Sequence, residues 1–149
     1  MNRSITLLRD LADHVDQHRL AEHEVLSAGV DLNGLRVHVR RPQDKSMPSL
    51  LRWHDTLAAP SLTAQVVGES VHLHAHGLLG NTKTQIVAVI ADDTADLLRA
   101  NFTLTDKPTQ VPVHKLRRLV DAEALMRQPL MELPGADVPP MRTTVDGAR

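Results

Sequence analysis

The sequence predicts an α+β fold, and three features predict it. Apolar residues recur at helical spacing over residues 4–20, 47–58 and 113–127. They alternate over two blocks, residues 28–40 and 61–91. Glycine-containing pairs, Asn33-Gly34, Gly68-Glu69 and Gly80-Asn81, punctuate those blocks. Strands joined by tight turns pair antiparallel. The expectation is therefore one domain over residues 1–128, with a mainly antiparallel sheet built from a hairpin plus a three-stranded meander and helices packed on one face. Residues 129–149 carry Pro129, Pro134, Pro139 and Pro140 and lose all periodicity, so they are expected to form an extended or disordered tail.

The elements follow in order. Ser4 is expected to cap a helix running to about residue 20, with Ile5, Leu8, Leu11, Ala12 and Val15 inward and Asp13, His14, Asp16, Gln17 and His18 on the wet side. Asn33-Gly34 between alternating runs predicts a two-residue hairpin that pairs Leu32 with Leu35, Asp31 with Arg36 and Val30 with Val37. A second helix over residues 47–58 aligns Leu50, Trp53 and Leu57, with Pro48 in its first turn. In the meander, two-residue turns set Val66, Ala64 and Leu62 opposite Val71, Leu73 and Ala75. They set Ala75, Leu73 and Val71 opposite Ile86, Ala88 and Ile90. Three runs thus agree on one buried face, and a slip of one residue would reverse every side chain. Asp92, Asp93 and Thr94 offer capping chemistry for a short helix ending near Asn101. Residues 105–112 read as a loop with two prolines. A last helix over residues 113–127 should turn Leu116, Leu119, Val120, Ala124 and Leu125 inward.

Composition removes whole classes of function. With no cysteine among 149 residues, disulfides, thiolate metal sites and cysteine nucleophiles are excluded. A net charge of -1 supplies no global field for nucleic acid or anionic membrane. There is no tyrosine, and Trp53 and Phe102 stand alone, so base stacking on exposed aromatics has no platform. The N-terminus breaks its apolar residues with Arg3, Arg9 and Asp10, unlike a signal peptide, and no apolar run is long enough to span a bilayer. The expected location is cytoplasmic, without a membrane partner.

The most unusual pattern is His72-Leu73-His74-Ala75-His76. Alternation puts the three imidazoles on the face opposite Leu73 and Ala75. Residues two apart on a strand lie about 7 Å apart, within reach of a shared metal, but His72 and His76 are about 13 Å apart. The register places Gln65 and Val89 beside His72, Thr63 and Val87 beside His74, and Gln85 beside His76. No carboxylate is among these neighbours, so a half-solvated polar face is the preferred reading over a metal site. Together with Val67, this face is too apolar for free water and too polar for a core, a mixture that suits a partner surface. A second copy packing sheet on sheet would bury it, and so would the last helix of the same chain.

Arg36, Arg40 and Arg41, with His38 between them and Lys115, Arg117 and Arg118 in the last helix, form a second cluster capable of holding phosphates. A solvated strand with Arg36 paired to Asp31 is the preferred reading. His23-Glu24 begins like a zinc-protease helix, but Ser27 stands where the second histidine belongs. His54-Asp55 diverge by about 100° on a helix and read as surface. No phosphate loop, nucleophile elbow or dinucleotide fingerprint is present.

The sequence thus points to a noncatalytic protein-binding or regulatory protein, homodimeric through Thr63, Gln65, His72, His74, His76, Gln85, Val87 and Val89, with no cofactor. The alternatives are a nucleic-acid-associated regulator using Arg36, Arg40 and Arg41, and a metal-dependent enzyme centred on His72, His74 and His76.

Overall fold

The computed structural model describes residues 2–20, 25–39 and 46–126. The chain divides into two compact units, residues 1–117 and 118–149. The elements are α1 (Arg3–Gln17), β1 (Val25–Asp31), β2 (Gly34–Val39), α2 (Ser46–His54), β3 (Ala58–Val67), β4 (Ser70–Leu79), β5 (Thr82–Ile90), α3 (Asp92–Asn101), β6 (Thr109–Gln110) and α4 (Val113–Met126). The described residues are therefore α+β: four helices and one six-stranded sheet in the order β1-β2-β5-β4-β3-β6. Every neighbouring pair is antiparallel except β2 and β5, which run parallel. The expected tail lies outside the described residues.

The meander has the register that its alternation predicts. Leu62, Ala64 and Val66 stand opposite Ala75, Leu73 and Val71, and those in turn oppose Ile86, Ala88 and Ile90. The turns fall at Gly68 and Gly80, whose φ values of 60° and 62° are left-handed and favour glycine. Leu62, Ala64, Val71, Leu73, Ala75, Ile86, Ala88 and Ile90 are all buried, and with Leu35, Val37 and Val39 of β2 they make the inner face.

The first hairpin forms with a different turn. Asp31 pairs with Gly34, Val30 with Leu35 and Gly29 with Arg36, so Leu32 and Asn33 occupy the turn. Two forces move it. The Asp31 carboxylate accepts the Asn33 N–H at 2.7 Å, building the turn one residue early. Gly34 is also needed elsewhere: at φ +126°, a Cβ there would lie 2.0 Å from the Lys83 carbonyl oxygen of β5. Shifting the pairing by one residue on each strand keeps each side chain on its face, so the hydrophobic pattern does not oppose the change. Arg36 consequently faces Gly29 across the ladder and is not paired with Asp31.

α1 is capped by Asn2, whose side chain accepts the Ser4 N–H at 2.8 Å, and not by Ser4. Its buried residues are Leu7, Leu11 and His14, while Ile5 and Leu8 are 53% and 44% exposed. The helix carries two apolar stripes, and the buried one contains a histidine that resembles a solvent residue in the sequence. His14 stacks near Trp53, with ring centroids 6.1 Å apart. The Thr56 hydroxyl donates to the Trp53 carbonyl at 2.7 Å, so it accepts from His14 Nε2 at 2.8 Å. That fixes the neutral tautomer with the proton on Nε2.

α2 ends at His54, earlier than its apolar spacing suggests, because the chain turns through Asp55 and Thr56 before β3. It lies against β2, β3, β4 and β5, burying Met47, Leu50 and Trp53 completely. Leu57 sits over Gly77, where a Cβ would approach it to 2.7 Å. α3 begins after Ala91, which has no capping side chain, so none of Asp92, Asp93 and Thr94 acts as the cap. β6 pairs Thr109 and Gln110 with Ala64 and Thr63 inside the stretch expected to be a loop. In α4, Leu116 is fully buried and is the only buried residue among those expected inward; Leu125 is 63% exposed.

Candidate functional site

β4 divides its side chains between two environments. Val71, Leu73 and Ala75 are completely buried on the inner face, and His72, His74 and His76 are half-buried on the outer face. All the expected neighbours are in place. Gln65 and Val89 flank His72, Thr63 and Val87 flank His74, and Ser61 and Gln85 flank His76. The parallel β2–β5 pairing adds Arg36 beside Gln85 and His38 beside Val87. These two residues extend the face beyond what the meander alone reveals. Val87 is 4% exposed, whereas Val67 and Val89 at the periphery remain 44% and 47% exposed.

A directed chain of hydrogen bonds crosses the centre of this face. Arg36 Nε donates to Gln85 Oε1 at 2.9 Å, and Gln85 Nε2 lies 2.8 Å from His74 Nδ1. Arginine has only donors, so it fixes the amide orientation, and Gln85 must then donate to His74. His74 is held neutral with its proton on Nε2. Burial lowers its pKa from 6.5 to about 4, and the fields of His76, His72, Arg36 and His38 act in the same direction. Burial also lowers His76, whose Nε2 lies 3.2 Å from the Thr63 hydroxyl. The ring centroids step along β4 at 6.3 Å and 6.0 Å. At neutral pH, His74 and His76 are therefore uncharged.

The same chain bears on metal binding. Among the described residues, no group of three or more His, Asp or Glu side chains converges as a metal site. Nδ1 of His74, moreover, is occupied by Gln85. The arginine cluster is described only at Arg36, because Arg40 and Arg41 lie outside the described residues, as does the His23-Glu24 pair. Arg117 is bound to Asp55 in an ion pair.

His54 and Asp55 were expected on a helix surface, but His54 is 6% exposed. Asp55 lies just past the helix end, so the two can meet, and His54 Nδ1 is 3.2 Å from the Asp55 carboxylate. Burial raises the Asp55 pKa, but hydrogen bonds from Arg117 and His54 outweigh it and hold the carboxyl below its ordinary value. The trio joins the end of α2 to the start of α4. Among the described residues, no helix is long and apolar enough to cross a membrane. No protein-family model, curated protein or solved structure matches the chain.

Proposed function

We propose that this protein is a noncatalytic binding or regulatory protein that docks a second copy of itself through the outer sheet face, with His72, His74 and His76 at the centre of the contact. The observation that supports this reading is the locked neutrality of the His74 row. Gln85 already joins Arg36 to His74, and His76 meets the Thr63 hydroxyl, so covering these groups with another protein leaves those bonds made. Exposed Val67 and Val89 add apolar area at the periphery. The central residues, Thr63, Gln65, Gln85 and Val87 with the histidines, include no carboxylate and no lysine, so a second copy meets no like charge there. Two sheets packed with their strands nearly aligned suit such a flat surface. With the two-fold axis along β4, β5 of one copy lies over β3 of the other, which sets Val87 and Val89 against Thr63 and Gln65.

The test is the mass in solution of wild type and of Val89→Lys, an exposed position whose substitution leaves the core intact. Light scattering at tens of micromolar should give a dimer for wild type and a monomer for V89K, with the folded circular-dichroism spectrum retained and a lower Tm for the variant from the lost association. A monomeric wild type, or an undisturbed V89K dimer, would contradict the reading.

A further inference from the structure

A cleft of about 420 Å³ opens where the outer face meets the β1–β2 turn. That size falls in the range of small-molecule sites. The sheet register gives it a direction. One row across its floor runs Arg36, Gln85, His76 and Ser61, and the next sets Lys83 beside Leu78. The cations therefore stand together at the β2–β5 side, while Leu78 and Ala59 line the β4–β3 side. A register irregularity between Ala58 and Ser61, with Ala59 at φ 48°, marks the β3 wall.

Among the described residues, no carboxylate lies within ion-pair distance of Arg36 or Lys83. Asp31 is on the wall, but its carboxylate caps the β1–β2 turn by accepting the Asn33 N–H. Arg36 is held in position through Nε by Gln85, which leaves its terminal nitrogens to donate. An oriented guanidinium beside a lysine forms a two-pronged receptor for an oxyanion. The apolar end, with Leu78 36% exposed, accommodates a short hydrocarbon body.

We propose that this cleft binds a small organic acid, with its carboxylate held by Arg36 and Lys83 and its apolar body laid along Leu78 and Ala59. The site goes beyond the docking reading; its walls are complete within one chain, and its floor shares His76 and Gln85 with the proposed contact.

The test follows backbone amide shifts of the full chain on titration with sodium hexanoate, the neutral isostere hexanamide and inorganic phosphate, each to roughly 20 mM. Hexanoate should give saturable shifts centred on Arg36, Leu78 and Lys83. Hexanamide and phosphate should each bind about tenfold more weakly, one lacking the charge and the other the hydrocarbon. Lys83→Ala should weaken hexanoate by a similar factor of about ten, and Lys83→Arg should restore it. Lys83 is exposed, so both variants keep the fold, which their amide spectra verify directly. Equal binding of hexanoate and hexanamide would overturn the carboxylate assignment, and phosphate binding as tight as hexanoate would overturn the apolar body. Absence of saturable shifts would overturn the site. Light scattering on the same samples reads the oligomeric state separately, so a failed dimer and a failed cleft give different results.

Discussion

The two faces of β4 differ in everything but backbone. Val71, Leu73 and Ala75 are sealed against neighbouring strands, whereas His72, His74 and His76 sit half-covered among glutamine, threonine and valine. Alternate residues of one strand thus serve opposite ends. Those facing inward hold the fold by removing apolar surface from water, and those facing outward hold hydrogen bonds in a fixed arrangement. Changes on the inner face should read out as stability, and changes on the outer face as association.

The largest expected effect is on the inner face. Leu73→Ala should cost about 3 to 4 kcal/mol in chemical denaturation, because Leu73 is completely buried between two strands that cannot collapse into the space. A loss below about 1 kcal/mol would mean that the face is loosely packed. Gly34→Ala tests the junction of hairpin and meander. A Cβ there strikes the Lys83 carbonyl and the backbone is left-handed, so about 2 to 3 kcal/mol should be lost, with the β2–β5 amides exchanging faster.

Acid sharpens the comparison from the outer side. His74 has a folded pKa of about 4 against 6.5 when free. As pH falls from about 6.5 the unfolded chain takes up a proton that the folded chain refuses, so stability declines down to about pH 4 and then levels for this group. Discounted for partial exposure, the loss is about 1 kcal/mol, visible as a fall of a few degrees in Tm. His72→Ala should change stability least, by less than about 0.5 kcal/mol, since its neighbours remain paired without it.

Most of this contrast can be read from the sequence. The meander register is legible because three alternating runs share two glycine turns, and any slip exposes all of Val71, Leu73 and Ala75 at once. The pairing of β2 with β5 is not legible. It joins segments distant in sequence, and alternation says nothing about which edges meet, so Arg36 and His38 could not be placed beside Gln85 and Val87. The hairpin turn moved because Asp31 competes for Asn33 and Lys83 claims Gly34, contacts that do not show in local pattern. His14 is not legible as a buried residue, because its polarity points to solvent whereas Thr56 satisfies it inside. β6 is too short, at two residues beside prolines, to leave any periodicity.

The central claim is that the imidazole face is covered by a second copy while His74 and His76 are neutral. Sedimentation velocity on wild type over a range of concentrations, at about pH 7.5 and again at about pH 4.5 with circular dichroism confirming the fold, tests it directly. The account predicts a dimer at the higher pH and a folded monomer at the lower, because acid that begins to protonate His74 and His76 sets like charges together. A monomer at both values, or a dimer equally tight at both, would contradict it.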